Sequence, residues 1–235
     1  MKRFWRAVEV QAADGGFAIG LDGRPIRTPR GAQLRLPSAA LANAIAGEWA
    51  AVGDGVRPRD MPLTGLANAA IDLVAPDPDG FAAGLAAFGA SDLTCYRAER
   101  PAELVGLQVA AWEPVLKAVE RAENLVFRRT AGLMPVEQPA ETLARLERIL
   151  AGFDPLRLAA LSPLITLSGS AVLGLAVARK HLSAEAAFAA AHVDEDYQAR
   201  HWGRDADAEA RRAARQAEFM AAAGFLSLLA AAEGG

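Results

Sequence analysis

Hydrophobic and polar residues alternate in the N-terminal part of the chain, which is typical of strands with one buried face. Two such runs, residues 5–10 and 17–21, come before the dipeptide Asp22-Gly23, and a short return run follows it. Asp-Gly between alternating runs is a strong local signal for a β-hairpin. With a further strand over residues 33–36, the sequence predicts a small antiparallel β unit.

The apolar period changes to about 3.6 residues after Ser38, which is a typical helix N-cap. Leu41, Ile45 and Trp49 then recur at helical spacing. The same spacing predicts helices over residues 39–52, 63–74, 77–88, 101–123, 139–151, 155–160, 162–179, 183–202 and 205–231, and a lone strand over 125–129. The predicted fold class is therefore α+β, with a small N-terminal antiparallel β-rich domain followed by a larger, mostly α-helical C-terminal domain.

The domain boundary is predicted from the segment around Pro58 and Pro62, because two prolines this close prevent a regular element. The sequence accordingly predicts an N-terminal domain of residues 1–60 and a helical domain of residues 61–235. In the alternative that the pattern leaves open, the first domain extends to residue 90.

The helix predicted over residues 162–179 is apolar on every side, with Ser162 as its N-cap and Pro163 at its first helical position. A helix that is hydrophobic all round is buried on all sides. The small residues Gly169, Ser170 and Gly174 are expected to let neighbouring helices approach its backbone closely.

The helix predicted over residues 183–202 carries a carboxylate within an apolar stripe. On a helical wheel, Glu195 falls on the same side as Phe188 and Trp202, while Tyr197 lies on the opposite side. An unpaired buried carboxylate is costly. Glu195 is therefore either bound by a partner within the fold or presented in a groove to a partner outside it.

The composition is that of an ordinary globular protein, with 52% hydrophobic and 23% charged residues among 235 and a formal net charge of −3. Lys and Arg are scattered and slightly outnumbered, so no nucleic-acid partner is predicted. The most apolar segment, residues 163–178, is shorter than the ~20 residues that a bilayer requires, so no membrane insertion is predicted. The N-terminal residues show no targeting peptide.

Candidates for catalysis are few, and the pattern favours binding over chemistry. A single cysteine, Cys95, excludes an internal disulfide and precedes Arg97, whose charge could lower the thiol pKa. His192 and Glu195 are spaced i, i+3, as in helical metal sites. These residues leave open a small-molecule or metal-dependent enzyme that uses Cys95 or the His192/Glu195 pair. The favoured hypothesis is a binding protein that needs no cofactor.

Several short motifs occur in a specific order from about Phe4 to Leu229. They are LDGRPIRTP (21–29), EW (48–49), MPLTGLANAAID (61–72), DLTCYRAERP (92–101), WEP (112–114), SGSAVLGLA (168–176) and DEDYQARHWG (194–203). In these motifs the chain resembles the assembly chaperones that bind the alpha subunit of F1-ATPase. The resemblance implies a β-rich N-terminal domain and a larger helical domain, in agreement with the periodicity.

The resemblance also implies a function. A chaperone of this family is not an enzyme: it binds the unassembled alpha subunit and shields its subunit interface until that subunit joins beta. An acidic residue in the last motif is important in the family, and Glu195 is the best match. The expected partner-binding residues are Glu195, Asp194, Tyr197, Gln198 and Trp202. The expected compartment is the bacterial cytoplasm, because no presequence is visible. The expected oligomeric state is a monomer.

Overall fold

The computed structural model describes residues 2–132, 134–203 and 205–230. Its N-terminal sheet contains β1 (Val8–Ala13), β2 (Gly16–Leu21), β3 (Arg24–Pro25) and β4 (Arg35–Leu36). β2 is the central strand and pairs antiparallel with the other three. Asp22 and Gly23 join β2 to β3 with φ angles of 49° and 77°. Both lie in the left-handed region that such a tight turn requires, so the predicted hairpin is confirmed.

Ten α-helices are described, and together with the small sheet they confirm the predicted α+β class. They are α1 (Ala39–Ala51), α2 (Pro62–Ala69), α3 (Pro78–Ala86), α4 (Ala102–Glu123), α5 (Ala140–Ala151), α6 (Pro155–Ser168), α7 (Ala171–Ala178), α8 (Ala184–Ala191), α9 (Val193–Trp202) and α10 (Ala206–Ala230). The first begins as predicted, because the Ser38 side chain accepts a hydrogen bond from the Leu41 N–H at 3.3 Å. Within the described ranges, no helix is long and apolar enough to cross a membrane.

The chain divides into two compact units. The N-terminal unit consists of Met1–Pro78, Asp154–Ala160 and Gly224–Gly235, and the helical unit consists of Asp79–Phe153 and Leu161–Ala223. The domain boundary predicted near residue 60 stays a prediction, because compactness alone does not show that a segment folds independently.

The core of the N-terminal unit combines the sheet with helices from distant parts of the sequence. Ile19 of β2, Leu36 of β4 and Ile45 of α1 are completely buried in one cluster. Phe225 and Leu229 of α10 belong to the same cluster. The β-rich unit therefore depends on the last helix of the chain for part of its apolar core.

The helix predicted over residues 162–179 is wrong in its extent, because the structure has two helices there. The N-cap of the first is Asp154 rather than Ser162: its carboxylate accepts hydrogen bonds from two N–H groups of the first turn of α6. Pro163 consequently lies inside α6. Gly169, at φ 65°, ends that helix, and the Ser170 hydroxyl caps α7 by accepting from the Leu173 N–H at 3.0 Å.

The prediction that small residues allow close packing is confirmed at Gly174. A Cβ placed there would lie 2.5 Å from Ile165 Cγ1 of α6. We expect Gly174→Ala to lower the free energy of unfolding by about 1–3 kcal/mol, because both residues are buried and the core has no space for the added methyl group. Urea unfolding measures the change. Gly106→Ala, where no atom lies within 4 Å of the added Cβ, is the control and should not destabilise the protein.

The strand predicted over residues 125–129 is also wrong. The described strand in this region is Thr130–Ala131 (β6), which pairs in parallel with Tyr96–Arg97 (β5). In residues 125–129, backbone N–H and C=O groups form hydrogen bonds with side chains rather than with another strand. The Glu120 carboxylate accepts from the Phe127 N–H at 2.8 Å, and the Gln138 amide both accepts from and donates to the Arg128 backbone. The segment alternates like a strand but has no strand partner.

Candidate functional site

The helix predicted over residues 183–202 begins as expected but is interrupted at His192. Ser183 caps α8 by accepting from the Ala186 N–H at 3.2 Å. His192, with φ −119° and ψ 22°, then separates α8 from α9. Its ring lies against the Phe188 ring, with centroids 4.1 Å apart, and its Nδ1 is 2.7 Å from the Phe188 carbonyl oxygen. In a continuous helix the His192 backbone N–H would donate to the Phe188 carbonyl. Here the ring Nδ1 contacts that carbonyl instead, and the backbone N–H donates to the Ala189 carbonyl.

The interruption changes the surroundings of Glu195. The predicted apolar stripe that included Glu195 is wrong, because the α9 segment no longer continues the wheel of α8, and this carboxylate is exposed. Among residues 2–132, 134–203 and 205–230, no hydrogen bond or ion pair ends on it. Gln198 is exposed as well, and Trp202 has 77% of its surface accessible. Of the two arrangements left open by the sequence, the structure has the one in which Glu195 faces a groove.

This groove has a volume of about 490 Å³ and lies between α9 and the first half of α10. We call it the α9–α10 groove. Its α9 wall includes His192, Glu195 and Trp202, and its α10 wall includes Arg212 and Arg215. The groove therefore combines an indole, a carboxylate that accepts no hydrogen bond from the described residues, and a row of guanidinium groups.

The cations of the α10 wall are held by contacts within the helical unit. Both guanidinium NH₂ groups of Arg212 donate to the Asp196 carboxylate, one of them at 2.9 Å, and the guanidinium carbon lies 5.8 Å from the Phe188 ring centroid. The hydrogen bonds to Asp196 raise the pKa of Arg212. Arg215 donates to the Leu167 carbonyl at 2.9 Å. Asp196 thus pairs with Arg212, and the nearby Glu195 carboxylate also acts electrostatically on Arg212 without a direct ion pair.

Two of the sequence-predicted residues point away from the groove. The Asp194 carboxylate accepts from the Gln108 side-chain amide at 2.7 Å, and the amide oxygen of Gln108 accepts from the Ala98 N–H at 2.7 Å. Tyr197 is buried, and its ring lies 4.2 Å from the ring of exposed His201. Asp194 and Tyr197 therefore attach α9 to the body of the helical unit, and Glu195, Gln198 and Trp202 face outward.

A buried tryptophan of α4 attaches the end of α8 to the body of the helical unit. Trp112 is completely buried, and its Nε1–H donates to the Ala190 carbonyl at 2.7 Å. Arg97 lies over the Trp112 ring at 5.0 Å and pairs with Glu113 at 3.1 Å. Sequence periodicity did not identify these supporting residues, because it does not show which residue of α4 meets which turn of α8.

The structure gives little support to an enzyme built on Cys95. The thiol is buried with 0% of the residue accessible, and burial raises its pKa to about 12. A thiol in this state is not a nucleophile near neutral pH. His192 is buried while Glu195 is exposed, and the described part of the chain contains no cluster of three or more His, Cys, Asp or Glu residues placed to hold a metal ion.

Comparison with known proteins identifies the family. The sequence model described as ATP12 chaperone protein matches residues 2–120, half of the chain. The chain belongs to the ATP12 chaperone family. The resemblance seen in the sequence motifs is confirmed, and so is the function it implied at its coarser level: this is a chaperone of ATP synthase assembly.

Relatives of this ATP12-family chaperone extend beyond the matched segment. The mitochondrial protein atp12 of Schizosaccharomyces pombe is 26% identical over 219 residues, which cover 88% of this chain and 75% of that protein. The crystal structure of Atp12 from Paracoccus denitrificans has a TM-score of 0.92 and 44% identity, covering 97% of this chain and 98% of the other. The Atu1473 protein of Agrobacterium tumefaciens also has a TM-score of 0.92, with 41% identity, covering 97% and 86%.

The α9–α10 groove lies outside the segment that the family model matches, because its lining begins at His192. It lies within the C-terminal part that the whole-chain structural similarity includes. The family assignment thus establishes what kind of protein this is, whereas the role of the groove rests on its own geometry.

Proposed function

We propose that this ATP12-family chaperone binds the unassembled alpha subunit of F1-ATPase and shields its subunit interface until alpha joins beta. Subunits of obligate complexes have large apolar interfaces, and exposed apolar surface promotes aggregation. A chaperone for such a subunit needs a surface that covers it and a polar contact that selects it. It needs neither a nucleotide nor a catalytic residue for this task.

The α9–α10 groove is the proposed client-binding site. The observation that carries this proposal is the exposed Glu195 carboxylate, which accepts no hydrogen bond and forms no direct ion pair among the described residues and lies on the same helix as the exposed indole of Trp202. Aromatic residues are frequent binding hot spots, and an unpaired carboxylate can select a cationic client residue. Glu195, Gln198 and Trp202 would contact the client, and Asp194 and Tyr197 would hold α9 in position.

The proposed working compartment is the bacterial cytoplasm, with the chaperone acting as a monomer. The bacterial origin of the structural relatives from Paracoccus denitrificans and Agrobacterium tumefaciens supports the first part of this proposal. The proposal of a monomer is supported by the groove, because a single α9–α10 groove is sufficient to bind one client site.

The purified protein is expected to suppress aggregation of free alpha subunit in the absence of ATP, as measured by light scattering. Glu195→Lys should weaken alpha binding roughly tenfold or more, because it places a cation where the client cation pairs. Glu195 lies in the first turn of α9, so its reversal should lower the free energy of unfolding by only about 1 kcal/mol.

Glu218→Lys is the matched control for this experiment. Glu218 is also exposed on a helix of the helical unit, but it does not line the groove. The control should bind alpha like the wild-type protein. Failure of the wild-type protein to protect alpha would refute the proposed function, and equal binding by folded Glu195→Lys would refute the site alone.

A further inference from the structure

His192 carries a buried hydrogen-bonding atom that has no partner. Its Nδ1 lies 2.7 Å from the Phe188 carbonyl oxygen, and a carbonyl can only accept, so Nδ1 carries the proton. In the neutral ring, Nε2 is then a bare acceptor. This Nε2 is buried and has no hydrogen-bond partner among the residues that the structure describes. Leaving a buried polar atom unpaired is costly, and such an atom is a rare feature of a folded protein.

The residue that carries the unpaired atom lines the α9–α10 groove. His192 is only 2% exposed, yet it is one of the residues that line this groove. Nδ1 is turned to the backbone of α8, and Nε2, on the other side of the ring, is covered from solvent. The Glu195 and Gln198 side chains line the same groove and are exposed, so they can change rotamer when a partner enters.

The chemistry of this end of the groove selects a cationic hydrogen-bond donor. His192 immediately precedes α9 and Glu195 lies in its first turn, and both residues line the groove. His192 offers an acceptor nitrogen, and Glu195 offers a carboxylate that accepts no hydrogen bond from the described residues. The cations of the opposite wall already have acceptors of their own. Arg212 is paired with Asp196, Arg211 lies 4.0 Å from Asp205, and Arg215 donates to the Leu167 carbonyl. A planar guanidinium, with five N–H donors in a fork, can satisfy both acceptors at once.

We propose that the groove accepts an arginine side chain of the client, whose guanidinium donates one N–H to His192 Nε2 and others to the Glu195 carboxylate. This inference rests on the proposed function and adds His192 as a residue that determines specificity. The arginine stem would extend along Ala199 toward the Trp202 indole, which lie on the same wall of the groove. A bound client with a donor at that position satisfies Nε2 and so removes the free-energy cost of leaving it unpaired. Clients that have such a donor are therefore favoured over clients that lack one.

Two substitutions separate the role of Nε2 from the packing role of the ring. In His192→Asn, the side-chain amide can still donate to the Phe188 carbonyl, but no acceptor remains near the Nε2 position. In His192→Gln, the longer side chain can place an acceptor oxygen there. We expect His192→Asn to weaken binding of purified alpha subunit about tenfold, as measured by calorimetry, and His192→Gln to restore most of it. Circular dichroism and urea unfolding confirm that only folded variants are compared.

His181→Asn is the matched control, because His181 is exposed and does not line the groove. It should bind alpha like the wild-type protein. A second measurement is independent of any variant: the chain has three histidines, so the ring nitrogens of ¹⁵N-histidine-labelled protein can be resolved. The His192 Nε2 resonance should move upfield when alpha binds, as a lone pair that begins to accept a hydrogen bond does.

The arginine itself is tested by competition. N-acetylarginine amide at millimolar concentration should weaken alpha binding, and N-acetylcitrulline amide, which has nearly the same shape but no charge, should not. If wild-type protein binds alpha, but His192→Asn binds equally and Nε2 does not move, this inference is wrong and the proposed function stands. Equal competition by both amides would exclude a guanidinium donor. If wild-type protein does not bind alpha at all, the proposed function fails, and this inference fails with it.

Discussion

Asp92→Ala is expected to lower the free energy of unfolding by about 4 kcal/mol or more, which is exceptional for a single substitution. Asp92 is completely buried and accepts four hydrogen bonds. The Thr94 N–H and hydroxyl donate at 3.0 and 2.7 Å, the Ser170 hydroxyl at 2.7 Å and the Val172 N–H at 3.0 Å. Removing the carboxylate leaves these donors buried without an acceptor, and each unsatisfied group costs about 1–3 kcal/mol.

Asp92→Asn is the informative companion variant. Burial raises the pKa of Asp92, while the hydrogen bonds from Val172, Ser170 and Thr94 oppose that shift. A neutral amide of the same shape avoids the cost of burying a charge, but it presents an NH₂ group to at least one donor. We therefore expect it to lose about half as much stability as alanine. Urea unfolding of both variants measures the difference, and a loss below about 1 kcal/mol for alanine would show that water or rearranged side chains satisfy the donors.

Trp112→Ala should lower the free energy of unfolding by about 3–5 kcal/mol and also weaken binding of alpha. The indole fills the interior of the helical unit, and its N–H holds the Ala190 carbonyl two residues before the break at His192. Without this contact, the end of α8 and the start of α9 lose their attachment to α4. The α9–α10 groove should then be less well ordered, and binding should decline even under conditions where the variant is folded.

Trp112→Phe separates the contribution of the hydrogen bond to Ala190 from that of the buried side-chain volume. Phenylalanine keeps most of the apolar contact but leaves the Ala190 carbonyl without its donor, so we expect a loss of about 1–3 kcal/mol. Val109→Ala on the same helix is the control, because Val109 is partly exposed and the change should cost little. Chemical denaturation gives the stabilities and calorimetry gives the affinities for alpha. A folded Trp112→Phe protein with unchanged affinity would contradict the link between Trp112 and the groove.

Elements with a local cause were predictable from the sequence. The turn at Asp22 and Gly23 requires left-handed backbone that these residues tolerate, and the structure places it there. Ser38 and Ser183 begin their helices because a short hydroxyl side chain can reach the N–H of the first turn. None of these features depends on residues far away in the sequence.

Elements with a distant cause were not predictable. Ser162 was predicted as an N-cap but lies inside α6, and the cap in this region is Ser170. Its hydroxyl also donates to Asp92, 78 positions earlier in the chain. Likewise, the extended segment around Phe127 takes its hydrogen bonds from side chains of Glu120 and Gln138, so alternation alone suggested a strand that does not exist.

The candidate site was located by sequence but not described correctly. The last motif directed attention to Glu195, which does face a groove. Its surroundings were wrong because the wheel was drawn across residue 192, where the backbone is not helical. The partner wall of the groove, including Arg212, comes from a different helix and has no signal within the motif. The unsatisfied His192 nitrogen could not be inferred at all, since it depends on which groups lie within reach of the ring.

The presence of Phe225 and Leu229 in the core around Ile19 has a consequence for biosynthesis. A nascent chain on the ribosome can form the hairpin early, but it cannot close that core until the last helix has been synthesised and released from the exit tunnel. Domains at the start of a polypeptide usually fold during translation. For this chaperone, the β-rich unit should instead mature only after Phe225 and Leu229 have been synthesised, and its early exposed strands would themselves benefit from general chaperones that act on newly made proteins.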